Sequence, residues 1–163
     1  MDKVSILKNL LNLYKQLLNL MLTQKTDKRQ IVFNTAKSCL GKPMSPEHKD
    51  YGCAEALNGV INLAIGHPLG GGASTYLLYQ ALKTSSHYQA ITTPLPGDVI
   101  ISPSGYGSGK IANGHTGIVS DNNKVMSNNS DTLLWDEHIS LDHWQDYYGK
   151  QGGYPIYYFR VLS

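Results

Sequence analysis

The chain has 163 residues, a length that fits one folded domain with a core of useful size. Hydrophobic residues make up 41% of the sequence and charged residues 16%, which is the ordinary balance of a globular protein. The formal net charge of +2 is too small to indicate a nucleic-acid partner. Two cysteines are too few for a disulfide scaffold, and the apolar surroundings of Cys39 predict that it lies in the core.

Residues 2–24 carry apolar side chains at the spacing of one helix face. This stripe, from Val4 to Leu22, is too wide to leave in water, so we expect it to pack against the rest of the domain, another copy or a partner protein. A membrane surface is the less favoured alternative. Lys15 and Gln16 interrupt the apolar run, which argues against a signal peptide and a transmembrane span. We predict a docking or oligomerisation helix at residues 1–26 and a second domain at residues 27–163.

The next part of the chain predicts three more helices. Asp27 is placed to cap a helix that runs to about residue 40, where Gly41 ends it. A helix beginning at Cys53 extends to about residue 66 after a polar loop. The third helix is predicted over 74–82.

After residue 94 the pattern changes to short strands with Gly and Asn turns. A hairpin turn is predicted at 121–123 and a short helix over 141–148, with Trp144 facing inward. Helices followed by antiparallel strands indicate an α+β fold. The predicted strands lie at 98–102, 115–120, 124–128, 132–137 and 156–161.

The most informative feature is a cysteine at the start of one predicted helix and a histidine at the start of a predicted strand. These residues are Cys53 and His115. A thiol at a helix N-terminus lies in the positive end of the helix dipole, which predicts a lowered pKa and a thiolate. A histidine beside it can hold the thiolate as an ion pair and shuttle a proton. The pair is therefore the minimum apparatus for acyl transfer.

Three segments around this pair resemble a known family. The sequence reads PGDVII at 96–101, GHTGIV at 114–119 and NKVMSN at 123–128, all after the cysteine helix. Together they resemble the papain-like cell-wall cysteine hydrolases of the NlpC and CHAP type, over about residues 28–161. The resemblance implies a papain-like α+β fold, with N-terminal helices packed on an antiparallel sheet. It also implies Cys53 as the nucleophile and His115 as its base.

The resemblance further implies a third residue, on the strand after the histidine strand, that orients His115 and fixes its tautomer. Residue spacing favours Ser127, whereas chemistry favours Asn128, whose amide oxygen can accept the imidazole N–H. Only one of the two can face inward, so the strand register decides. We predict Asn128, with Ser127 second.

The chain departs from the family pattern beside the cysteine. Gly52 stands where the family usually has Asp or Gln, and Ala54 where it has Ser or Val. We therefore expect the backbone N–H of Cys53 to be one oxyanion donor, and the second donor stays unassigned. Tyr51 is close enough in sequence to be a candidate for that second donor, but we expect it to be buried in packing. Glu55 is expected to be an acid of the helix cap.

Other candidate sites are set aside. The Gly-rich stretch 104–110 fails the spacing of a phosphate loop and is predicted to be a mobile loop beside the active site. The six histidines form no HxxxH or HxH pair, so we predict no metal and no cofactor. Asp98 is predicted to be a structural acid of the Pro-Gly turn.

The sequence predicts a hydrolase that cuts an amide bond of the peptidoglycan peptide. Because no signal peptide is recognised, we expect synthesis in the cytoplasm and action on the wall after release or delivery, as for a phage lysin or virion-associated hydrolase. Two alternatives stay open: a non-catalytic phage structural or binding module on the same fold, and a cysteine acyltransferase or deamidase effector. Self-association or protein binding through residues 4–22 is compatible with each.

Overall fold

The computed structural model describes residues 3–23 and 27–162. Helix α1 spans Lys3–Thr23, as the apolar spacing predicts. Between Val4 and Leu17 its large apolar side chains are exposed, so no other part of the described chain covers that face. The predicted boundary at residue 26 lies outside the described residues. The docking or oligomerising role of α1 stays a prediction.

Three helices that are shorter than α1 follow. Helix α2 (Lys28–Ser38) begins at Asp27, whose carboxylate accepts the backbone N–H of Arg29 at 3.1 Å. Helix α3 (Cys53–Ile65) ends at Gly66, which adopts a left-handed φ of 86° that glycine alone tolerates easily. Helix α4 spans Thr75–Thr84, and a single 3₁₀ turn at Lys49–Tyr51 precedes α3.

Six antiparallel strands form one sheet, in the order β1-β6-β2-β3-β4-β5. The fold is therefore α+β, as predicted. The first strand is absent from the sequence prediction, and the fifth begins two residues later and ends three residues later than predicted. The strands are Tyr88–Ile91 (β1), Val99–Ser102 (β2), His115–Val119 (β3), Lys124–Asn129 (β4), Leu134–Ser140 (β5) and Tyr157–Val161 (β6).

The two faces of the sheet are covered differently. Helices α2, α3 and α4 bury one face in the larger core, which contains Ile118 of β3 and Met126 of β4. Their neighbours Val119 and Val125 point to the other face, where they pack against Trp144. Trp144 ends a short helix α5 (Leu141–Trp144), which continues as a π-helix over Gln145–Gln151. The helix predicted at 141–148 is thus one α-helical turn followed by a π-helix.

Asp98 holds the turn that leads into β2. Its side chain is fully buried and accepts the Leu95 backbone N–H at 2.7 Å. Arg160 of β6 donates two further hydrogen bonds to this carboxylate, at 2.9 and 2.7 Å. Bidentate pairing of this kind is among the stronger polar contacts in proteins. The predicted structural role of Asp98 is confirmed, and the residue ties the entrance of β2 to the last strand.

Asp98→Asn should lower the free energy of unfolding by about 3 kcal/mol, because it leaves Arg160 without its buried charge partner. Urea unfolding followed by circular dichroism measures the change. Asp142→Asn is the matched control, since Asp142 is exposed and accepts one hydrogen bond from Asn123. It should cost less than about 1 kcal/mol. Equal stability of the two variants would contradict a structural role for Asp98.

Candidate active site

The start of α3 is fixed by its first-turn acid. Glu55 accepts hydrogen bonds from the Ser45 hydroxyl at 2.7 Å and from the backbone N–H groups of Glu47 and His48 at 3.1 and 2.9 Å. A side chain on Gly52 would collide with Ser45, so glycine is needed where the chain enters the helix. Glu55 is thus an acid of the first turn, as expected, but its contacts tie the preceding loop to the helix and do not cap the helix amides.

His115 is held by aromatic packing on the opposite side of the sheet from α3. Its ring lies 5.2 Å from the Trp144 ring and 5.6 Å from the Tyr148 ring, centroid to centroid, and is stacked within 13° on the latter. Trp144 is itself anchored, because its indole N–H donates to the Ser102 hydroxyl at 3.0 Å. Ser102 is the partner of His115 across β2 and β3. The imidazole orientation is therefore set by stacking.

The structure brings the two predicted residues to one place. The Cys53 sulfur accepts the backbone N–H of Thr116, the residue that follows His115. Cys53 and His115 also line the same cavity, whose volume is about 540 Å³. Both side chains are only 8% exposed. A thiol and an imidazole thus lie at the wall of one space that is large enough for part of a peptide.

The charges of this pair differ from the sequence-based expectation. Burial raises the pKa of the Cys53 thiol to about 11, although the backbone N–H groups of Thr116, Ala54 and Cys53 itself act in the opposite direction. Burial, together with nearby His138, lowers the pKa of His115 to about 3. The predicted lowering of the thiol pKa is therefore wrong for this buried arrangement. At neutral pH the pair rests as a neutral thiol and a neutral imidazole.

The register separates the two candidates for the third residue. Val125 and Met126 point to opposite faces of β4, so Ser127 shares the face of Trp144 and Asn128 shares the face of the helices. His115 contacts Trp144, which places it on the face of Ser127.

Asn128 is instead joined to the turn before α3, because its Nδ2 donates to the Lys49 carbonyl at 2.8 Å. The Asn128 amide oxygen and the Ser127 hydroxyl are buried without a hydrogen bond among the described residues. The register favours Ser127, our second choice, as the neighbour of His115. The orienting role itself stays a prediction for both residues.

Three further residues of the cavity were misjudged or missed. Tyr51 lines it but is 71% exposed, so the expected burial in packing is wrong. Lys110 and Tyr148 also line the cavity and were not singled out from the sequence. Tyr148 stands four residues after Trp144, the spacing of one helical face, and that pattern was the available signal.

The Gly-rich stretch lies beside the cavity, as predicted. Its backbone is joined to the end of the π-helix, since the N–H groups of Gly109 and Lys110 donate to the carbonyls of Gly152 and Gln151 at 2.8 and 3.2 Å. It contributes Lys110 to the cavity lining. The loop therefore forms one wall of the candidate site.

One group of potential metal ligands occurs among the described residues. Glu47, His48 and Glu55 offer atoms within 4.8 Å of one another. The Glu55 oxygens are already occupied as acceptors at the start of α3, and the His48 ring nitrogen lies 3.0 Å from one of them. These three residues therefore connect the preceding loop to the first turn of α3.

The comparisons with known proteins give little for this chain. No family model matches it, and no curated protein matches it. Eight chains of solved structures match. One belongs to the crystal structure of the type VI native effector-immunity complex Tae3-Tai3 from Ralstonia pickettii, with 21% identity and a TM-score of 0.49 over 80% of this chain and 95% of that chain. A likeness this low carries no functional assignment. None of the described helices is long and apolar enough to cross a membrane.

Alkylation of Cys53 by iodoacetamide should be slow at neutral pH and should rise about tenfold per pH unit towards pH 11, because only the thiolate reacts. The measurement uses a Cys39→Ser variant, which leaves one thiol, and the unfolded protein as the reference for a free thiol. At pH 8 the folded protein should react about 100-fold more slowly than the unfolded one. A plateau below pH 7 would contradict this result and indicate a preformed thiolate–imidazolium pair.

Proposed function

We propose that this protein is a cysteine hydrolase that cleaves an amide bond in the peptide of bacterial peptidoglycan. The observation that carries the proposal is the contact of the Cys53 sulfur with the backbone N–H of Thr116, which puts the thiol beside His115 at the wall of one cavity. The resemblance of the PGDVII and GHTGIV segments to papain-like cell-wall hydrolases supports the choice of substrate.

The reaction follows from the neutral resting pair. His115 accepts the thiol proton as the Cys53 sulfur attacks the substrate carbonyl, so charge is created only when the carbonyl can receive it. The C–N bond of the tetrahedral intermediate then breaks, and the imidazolium gives its proton to the leaving amine. Water, deprotonated by His115, hydrolyses the thioester and restores the thiol. Each step uses the same two side chains.

The lining of the cavity suits a peptide that carries a carboxylate. Hydroxyl and amide groups of Ser74, Ser104 and Asn113 line it. Lys110 is the one Lys, Arg, Asp or Glu among the described lining residues. Stem peptides of the cell wall combine amide bonds with free carboxylates, and an ammonium group at the cavity wall attracts such a group. The delivery route, including the phage lysin assignment, stays a prediction.

Cys53→Ala and Cys53→Ser should reduce the release of fragments from purified peptidoglycan by at least about 10³-fold, because the nucleophile is lost. Mass spectrometry of the released fragments identifies the bond. Cys39→Ser is the matched control: Cys39 is a free, buried core residue, and turnover should stay within about threefold. Full activity of Cys53→Ala would refute the mechanism. No release from any wall type by the unaltered protein would favour the binding-module alternative.

Lys110→Gln should raise KM for wall fragments about fivefold and leave kcat within about twofold, because an exposed charge contributes up to about 1 kcal/mol, and contributes it equally to substrate and transition-state binding. Lys150→Gln is the control, since it removes the same charge from an exposed residue that is not among those lining the cavity. Equal KM values for both variants would show that net charge alone attracts the wall. Lys110→Glu should weaken binding further.

A further inference from the structure

Tyr148, whose ring stacks on His115, has no role in the proposed acyl-transfer steps of Cys53 and His115. Tyr148 lies in the π-helix, and its ring is parallel to the imidazole within 13°. Its backbone is fixed because the Tyr154 N–H donates to the Tyr148 carbonyl at 2.9 Å. The Tyr147 ring packs edge-on against it at 5.0 Å. The phenol is therefore held in a defined orientation at the cavity wall.

Tyr148 shares its cavity with Cys53, the proposed nucleophile. Burial raises the pKa of this phenol, and a charge on the Cys53 sulfur raises it further. The hydroxyl makes no hydrogen bond to another described residue. A phenol that stays protonated and has a free donor beside a reacting sulfur can serve a substrate atom.

The site needs such a donor. The backbone N–H of Cys53 lies in the first turn of α3, where amides have no partner within the helix. Two other hydroxyls of the cavity are engaged with each other, since Thr75 donates to Ser104 at 2.9 Å. The Ser104 hydroxyl also accepts the Gly114 N–H at 3.0 Å. Tyr148 is a lining residue whose hydroxyl takes part in neither of these contacts and whose ring stacks on His115.

We propose that Tyr148 is a catalytic residue whose hydroxyl donates a hydrogen bond to the substrate carbonyl oxygen as the Cys53 sulfur attacks. Negative charge passes from sulfur to this oxygen in the tetrahedral intermediate, and the phenol keeps its proton throughout. The backbone N–H of Cys53 is the other donor. The inference rests on acyl transfer at Cys53, which is part of the proposed function, but it does not depend on the wall peptide as substrate.

The experiment compares two reagents that react with the same thiol. p-Nitrophenyl acetate acylates Cys53 through an oxyanion, whereas iodoacetamide alkylates it without one. Tyr148→Phe keeps the ring that stacks on His115 and removes the hydroxyl alone. It should slow the acylation burst by about 10²-fold, the effect of losing one oxyanion donor, and change the alkylation rate at pH 9 by less than about threefold. Tyr88→Phe removes a hydroxyl from a tyrosine of β1 that is not among the residues lining the cavity, and it should change neither rate by more than about threefold.

Each other result overturns the inference. Acylation by Tyr148→Phe within about threefold of the unaltered protein would mean that the hydroxyl does not contact the oxyanion. A parallel loss in both reactions would make Tyr148 a positioning residue that acts through Cys53 or His115. An unaltered protein without a burst that depends on Cys53 would refute acyl transfer itself. A normal burst without release of wall fragments would reject the peptidoglycan substrate and leave the result for Tyr148 standing.

Discussion

The candidate site depends on the contact between the first turn of α3 and the backbone of β3. The Cys53 sulfur accepts the N–H of Thr116, and Ala54, one residue on, is fully buried in the core beneath the helix. The contact requires a small residue at Ala54 and none at all on Gly52, where a side chain would collide with Ser45. Close packing of α3 on β3 thus places the Cys53 thiol beside the backbone of the residue that follows His115.

Burial of the sulfur in this closely packed site makes the Cys53 thiolate less stable than it is in water. A helix N-terminus stabilises a negative charge by about 0.3–1 kcal/mol, and by about 2 kcal/mol in favourable cases. The rise of the Cys53 pKa from 9.0 to about 11 corresponds to about 3 kcal/mol against the thiolate. Burial therefore outweighs the dipole. The helix position of Cys53 predicts the sign of one contribution, but the sequence does not show how deeply the sulfur is buried, and that depth decides the net direction.

Local signals in the sequence predict much of this fold. Asp27 caps α2 through a contact two residues away, and Asn122 and Asn123 take the positive φ values of 54° and 60° that a tight hairpin turn requires. Such features depend on neighbours in the chain. The edge strand at Tyr88–Ile91 depends instead on pairing with β6, which lies far along the sequence, and four residues give too little periodicity to predict it. The change from α to π geometry after Trp144 likewise has no sequence pattern of its own.

The candidate site likewise combines features that the local sequence predicts with features that depend on the folded structure. Residue type and position identify Cys53 and His115 as candidate reactive residues, because a thiol can act as a nucleophile and an imidazole as a base. The choice between Ser127 and Asn128 depends on strand alternation, and the preference for Asn128 on chemical grounds runs against a register that gives its Nδ2 to the Lys49 carbonyl. The role inferred for Tyr148 depends on tertiary packing, since its ring meets His115 only when the π-helix is packed against β3.

A neutral resting pair and fixed hydrogen-bond donors fit together physically. Separated charges are costly in a site where Cys53 and His115 are both 8% exposed, so the resting pair is uncharged. In the proposed reaction, the negative charge forms only when a substrate carbonyl oxygen can receive it. The N–H groups of Thr116 and Ala54 face the sulfur before the reaction. A donor aimed at the carbonyl oxygen gains its full effect only after the charge has moved there. Burial that disfavours the thiolate at rest therefore also strengthens each hydrogen bond to the transition state, because both effects come from the same exclusion of water.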